Sequence, residues 1–129
     1  FAVGTALLPV GVFTLKFALQ NDRRYWALAS FPLLFGAQQV IEGLLWLAIA
    51  AENTAVLRLS AFGFLFFAYQ LWPFFVPFAA GLTEVDAARR RIFRWFALVG
   101  LLFGLSLYLP LLLDPDWLTV SIHRHSILY

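Results

Sequence analysis

The stretch "FPLLFGAQQVIEGLLW", residues 31–46, decides the fold. It is apolar enough to cross a bilayer, yet it holds Gln38, Gln39 and Glu42 close to its middle. A soluble helix would keep such polar groups on a wet face and spread many more charges around it. Here the flanking residues stay apolar for a further turn or more on both sides.

Composition shows that this stretch is typical of the whole chain. Of 129 residues, 63% are hydrophobic and 12% are charged, with 15 Phe and 5 Trp. Mean hydropathy is +0.85. Soluble domains carry roughly 25% charged residues, and a chain this short cannot bury so much apolar surface in its own core. The sequence therefore predicts an integral membrane protein. The net charge of +2 comes from arginine clusters between apolar blocks. That pattern sets membrane topology and argues against a nucleic-acid surface. With no Cys, disulfide, thiolate and Cys–metal chemistry are excluded in this span. A first residue other than Met leads us to expect chain upstream of Phe1, and no cleavable signal pattern opens the sequence.

A membrane span needs about 20 mainly apolar residues. Four blocks meet that length, at about 1–19, 25–50, 56–82 and 93–113. The predicted fold is all-α, a polytopic transmembrane bundle of four spans forming one domain. The joints "QNDRR" (20–24), "AENTAVLR" (51–58) and "TEVDAARRRIFR" (83–94) are short enough for antiparallel neighbours. A β-barrel would need period-2 alternation, which is absent. Residues 114–129 are too polar for a fifth span and read as an extramembrane or interfacial tail, one able to lead into a later helix. Pro9 and "LLFG" (33–36) recur 68 residues later as Pro77 and "LLFG" (101–104). A helix-hairpin duplication leaves such an echo, and Leu-rich spans also produce one by chance.

Charge gives the direction of the spans. Arg23, Arg24, Arg89, Arg90, Arg91 and Arg94 fall in the first and third joints, with Lys16 close by, whereas the second joint holds only Arg58. The positive-inside rule places the first and third joints in the cytoplasm of a multi-pass protein of the bacterial inner membrane. The same arginines are candidates for contact with anionic headgroups.

The polar residues define the candidate site. Gln38, Glu42 and Trp46 repeat at i, i+4, i+8 and share a helix face, with Gln39 at its edge. Gly36 and Gly43 lie near the opposite face, where small residues let another helix approach. With a rise of about 1.5 Å per residue, Glu42 lies ~14 Å and Gln38 ~20 Å from the outer end of the span. Tyr69 and Gln70 of the third span fall at ~16 and ~18 Å, and Ser106 and Tyr108 of the fourth share that layer. An ionised side chain at the bilayer centre costs ~2.5–3.5 kcal/mol, so Glu42 must pair, line a wet cavity or carry a proton. Two roles follow for Gln38, Gln39, Glu42, Tyr69 and Gln70: a polar core joining helices, or a site for a polar ligand, proton or cation. In "AYQLWPFFVP" (68–77), Pro73 and Pro77 remove the donors to the carbonyls of Tyr69 and Pro73, which predicts a kink beside the same layer.

No catalytic constellation accompanies this site. His123 and His125, at i, i+2, share a side only in an extended segment and lack a third ligand, which makes them weak metal candidates; no metal site is expected. Nucleophile elbow, phosphate loop, HExxH and dinucleotide fingerprints are all absent. A hydrolase pairing Glu42 with these histidines is opposed by depth. No particular cofactor is indicated.

Around "LLPVGV" (7–12), "PLLFGAQQVIEGLLW" (32–46) and "LWP" (71–73) the chain resembles an uncharacterised bacterial family of multi-helix membrane proteins. Its most specific element is QQ-x-x-EG, here Gln38, Gln39, Glu42 and Gly43. The resemblance implies a Met-Cys-Phe-Ser-like N-terminus just ahead of Phe1 and around seven spans in the full-length protein. It brings no established activity with it. The sequence thus leads to a non-enzymatic interaction or accessory subunit of a membrane complex. Its expected partners are the lipid bilayer and other membrane subunits, or further helices of its own chain, and not nucleic acid. Binding or transport through Glu42 is the alternative.

Overall fold

Several helix ends in this chain fall where the sequence supplies a cap or a break. The computed structural model describes residues 2–114, 117–118, 121–123 and 126–128, the last two groups by backbone alone. Helix α1 runs Ala2–Asn21. Asp22 then caps a 3-10 turn, Arg23–Tyr25, by accepting the Arg24 N–H at 2.9 Å. A single turn α2, Trp26–Ala29, follows. Pro32 cannot donate to the carbonyl of Leu28, and the helix breaks at buried Ser30, whose hydroxyl donates to the Ala27 carbonyl at 2.7 Å. Helix α3, Phe31–Ala50, completes the second span. The turn to the third span is tight enough to hold Glu52 at φ 51°, and the Asn53 side chain caps α4, Thr54–Leu65, through the Val56 N–H at 3.1 Å.

The third span is not a uniform α-helix. After α4 it widens into a π-helical segment, Phe66–Leu71, and returns to α in α5, Trp72–Thr83. The Trp72 N–H donates to the Phe67 carbonyl, five residues back. The widened turn lies directly ahead of Pro73, whose ring would collide with the Tyr69 carbonyl in a regular α-helix. Helix α6, Ala87–Leu113, starts six residues before the apolar block that marks the fourth span. Asp86 fixes this start by accepting the Arg89 N–H at 2.8 Å. Hydropathy reports only the part of a helix that meets lipid, so the arginine-bearing first turns escape it.

Among the described residues four helical stretches are long and apolar enough to cross a membrane: Ala2–Asn21, Arg23–Ala50, Thr54–Thr83 and Ala87–Leu113. The fold is the all-α transmembrane bundle that composition implies. In the tail, the backbone of Ser121–His123 pairs antiparallel with Ser126–Leu128.

Among the described residues the spans pack in chain order, first on second, second on third and third on fourth, with no comparable packing between first and fourth. Small residues draw the first pair together. A Cβ on Gly36 would lie 3.0 Å from the Gly4 carbonyl oxygen and from the Leu8 side chain, and one on Gly11 would collide with the backbone of Leu33. The third and fourth spans meet in a related way, through Gly100, Gly104 and Tyr108 at i, i+4, i+8. A Cβ on Gly100 would run into the Pro73 carbonyl, and one on Gly104 would lie 2.5 Å from the Tyr69 carbonyl oxygen. These are the two carbonyls from which Pro73 and Pro77 withhold a donor. The Tyr108 hydroxyl extends the seam by donating to the Phe62 carbonyl at 3.1 Å. The glycine ending each "LLFG" repeat, Gly36 and Gly104, thus rests on a backbone carbonyl of the preceding span.

Aromatic rings fill the seam between second and third spans. Buried Ala27, Phe75 and Ala79 form its centre, with Phe31, Leu34, Trp72 and Phe78 around them. Trp72 stacks on Phe35 with ring centroids 4.4 Å apart and on Phe31 at 5.6 Å.

Candidate functional site

The five polar residues of the middle layer are not joined into one cluster; the structure assigns them to three seams. Gln39 and Glu42 form a pair within the second span, the Gln39 amide donating to the Glu42 carboxylate at 2.9 Å. At i, i+3 the two side chains are neighbours on the helix surface. Gln39 lies on the flank that meets the first span, since a Cβ on Gly4 would sit 2.7 Å from the Gln39 Cβ. Glu42 is half-buried.

Gln38 turns the other way. Its side-chain oxygen accepts the indole N–H of Trp72 at 2.7 Å, across to the third span. Trp72 is held in place for this contact by the rings of Phe31 and Phe35, while its N–H needs an acceptor away from water. The sequence reading attached no role to Trp72. The available signal was an indole donor within the same polar layer as two glutamine acceptors.

Tyr69 and Gln70 face neither Glu42 nor Gln39 through a hydrogen bond. Tyr69 is half-buried, and its hydroxyl has no hydrogen-bond partner among the described residues. The Gln70 side-chain oxygen is buried without a partner and lies 3.1 Å from where a Cβ on Gly104 would stand. It belongs to the seam of the third and fourth spans. The carbonyls near Pro73 likewise turn to α6, which separates them from Glu42. Ser106 is exposed and donates to the Phe103 carbonyl of its own helix at 2.7 Å, and so adds nothing to the layer.

These separations bear on the chemistry open to Glu42. Hydrogen bonds between helices in a membrane average about 0.6 kcal/mol, well below the ~2.5–3.5 kcal/mol of an ionised group at mid-bilayer. The Gln39 amide alone does not offset that cost. An ionised Glu42 requires a further donor from water, a ligand or another helix. Gly43, one residue on, is buried, and Gly36 seats the first span.

The remaining candidates lie at the ends of the spans. Arg24 approaches Asp22 at 3.9 Å, and Arg89 approaches Glu84 and Asp86 at the same distance; in each pair the arginine is largely exposed, which makes them weak. Arg90 instead donates to the carbonyls of Glu84 and Val85 at 3.2 and 3.1 Å, closing the C-terminal end of α5. Arg23, Arg91 and Arg94 complete the positive ends of the joints. His125 and the side chain of His123 lie outside the described residues. Among the described residues no group of three potential metal ligands converges.

No family model matches the chain, and searches of curated proteins and of solved structures return no match. The site must be read from its own geometry.

The Gln38–Trp72 contact makes a sharp prediction. Gln38→Leu leaves the half-buried Trp72 indole without its acceptor and should destabilise the bundle by roughly 1 kcal/mol in detergent unfolding. Adding Trp72→Phe removes the stranded donor. The double variant should then lose less than the two single losses combined. Strictly additive losses would show that the two side chains do not depend on each other.

Proposed function

We propose that this chain is a non-enzymatic interaction or accessory subunit of a membrane complex, presenting an open row of spans to further transmembrane helices. The observation that supports this most is the packing order. The row does not close from fourth span to first, and only 11% of the apolar window of the fourth span is buried inside the bundle, against 28% for the third. Large side chains such as Phe96, Leu102, Phe103 and Leu105 stand exposed along α6. Lipid covers such surface at little cost. Another helix covers it as well, and helices with small or complementary residues pack there.

The orientation belongs to the same reading. The arginines of the first and third joints lie on the cytoplasmic face of a bacterial inner membrane, as their excess over the second joint implies. Membership in the seven-span family with the QQ-x-x-EG element is also a proposal, resting on Gln38, Gln39, Glu42 and Gly43. Single cysteines in this Cys-free chain test orientation and assembly together. Val85→Cys should react with an impermeant maleimide only once the cytoplasmic face is opened. A cysteine on the open face, Leu105→Cys, should cross-link to a neighbouring helix in native membranes. A chain extracted gently as a partnerless monomer, with Leu105→Cys uncross-linked, would contradict the reading.

A second role is favoured by one feature, the half-buried Glu42 with a single amide partner. As a carboxylate exchanging a proton or cation it would need the acceptor oxygens that Gln39 leaves unoccupied. Glu42→Gln should then abolish proton- or cation-coupled binding or transport in reconstituted vesicles with unfolding unchanged. Undiminished coupling in that variant rules the role out.

A further inference from the structure

A groove of about 390 Å³ runs between α5 and α6 at the arginine-bearing end of the bundle. Phe74, Phe78 and Leu82 wall it from α5, and Leu98 and Leu101 from α6, while Arg90 and Arg94 stand at its head. We propose that this groove binds one acyl chain of an anionic phospholipid, with the lipid phosphate held by Arg94 and Arg90.

Length, charge and donor count each support that occupant. From Arg90 to Leu101 the helix rises ~16 Å, close to the ~15 Å of one leaflet of a ~30 Å hydrocarbon core. An acyl chain anchored at the arginines therefore reaches the midplane within the groove. Leu98, at 42% exposed, leaves the wall open to lipid along its side. Arg90 is half-buried and fixed: two of its five guanidinium N–H groups go to the carbonyls of Glu84 and Val85, and the rest remain for a ligand oxygen. Arg94, one turn further along the same helix, is exposed and makes no ion pair among the described residues. The carboxylates of the same joint, Glu84 and Asp86, each approach Arg89 at 3.9 Å. Four arginines, Arg89, Arg90, Arg91 and Arg94, stand against these two carboxylates, which leaves a net positive charge at this end of the bundle. A zwitterionic headgroup adds no net charge to match it, and a free phosphate has nothing to place against the aromatic walls. An anionic phospholipid satisfies both ends of the groove.

The test is native mass spectrometry of the full chain in mild detergent, titrated with phosphatidylglycerol or with phosphatidylcholine of identical acyl chains. Phosphatidylglycerol should remain bound at lower concentration. Arg94→Ala should weaken it by roughly five- to tenfold, while Arg91→Ala, whose side chain does not line the groove, should stay within about twofold. Leu98→Trp fills the groove without changing charge and should remove the bound lipid. Excess inorganic phosphate should not displace it. Equal retention of both lipids, equal losses in Arg91→Ala and Arg94→Ala, undiminished binding in Leu98→Trp, or displacement by phosphate would each overturn the proposal.

Discussion

A backbone carbonyl in hydrocarbon must find a donor or be covered, and the third span holds two from which proline has taken the usual donor. Pro73 and Pro77 have no N–H to offer the carbonyls of Tyr69 and Pro73. The span responds in two ways. It widens into the π-helical segment Phe66–Leu71 ahead of Pro73, and it turns the two carbonyls to α6, where Gly104 and Gly100 offer no Cβ to keep the backbones apart. Glycine at these positions permits an approach that no other residue allows. The remaining polar groups of this seam, Tyr108 and Gln70, take their places from that approach.

The same constraint explains why the polar middle layer is divided. With the third span committed to α6 through Tyr69 and Gln70, its side-chain hydrogen bond to the second span falls to Trp72, while α4 packs on α3. Gln38 is the acceptor within reach of that indole. Gln39 and Glu42 are left on the side of the first span, where Gly4 and Gly36 set the separation. Each seam thus holds its own polar group. The outer flanks of the row carry apolar side chains open to lipid or to further helices.

The class and architecture were legible because hydrophobicity over some twenty residues is a strong signal and the joints are short. Helix ends were less so. The early start of α6 depends on the Asp86 cap and on a solvated first turn that hydropathy does not record. The polar layer shows the deeper limit. Counting residues estimates how far Glu42, Tyr69 and Gln70 lie along their helices, and says nothing of which neighbour each one faces. Rotation of each helix is fixed by close packing at Gly100, Gly104, Gly11 and Gly36. A glycine in a sequence marks a face without naming what will be pressed against it. Trp72 was overlooked for a similar reason: an indole in an aromatic run reads as packing until an acceptor is placed beside it.

Glycines of α6 cover the two carbonyls from which proline withholds the usual donor, and isotope-edited infrared spectroscopy addresses this at a single bond. A carbon-13 label in the Pro73 carbonyl should give an amide I band above that of an equally labelled, regularly bonded carbonyl such as Ala48. The band should not shift in heavy water, because the group is dry. Gly100→Leu should force the helices apart and move the band down as water or another donor reaches the carbonyl. A Pro73 band already at the position of the Ala48 control, or one indifferent to Gly100→Leu, would contradict the account.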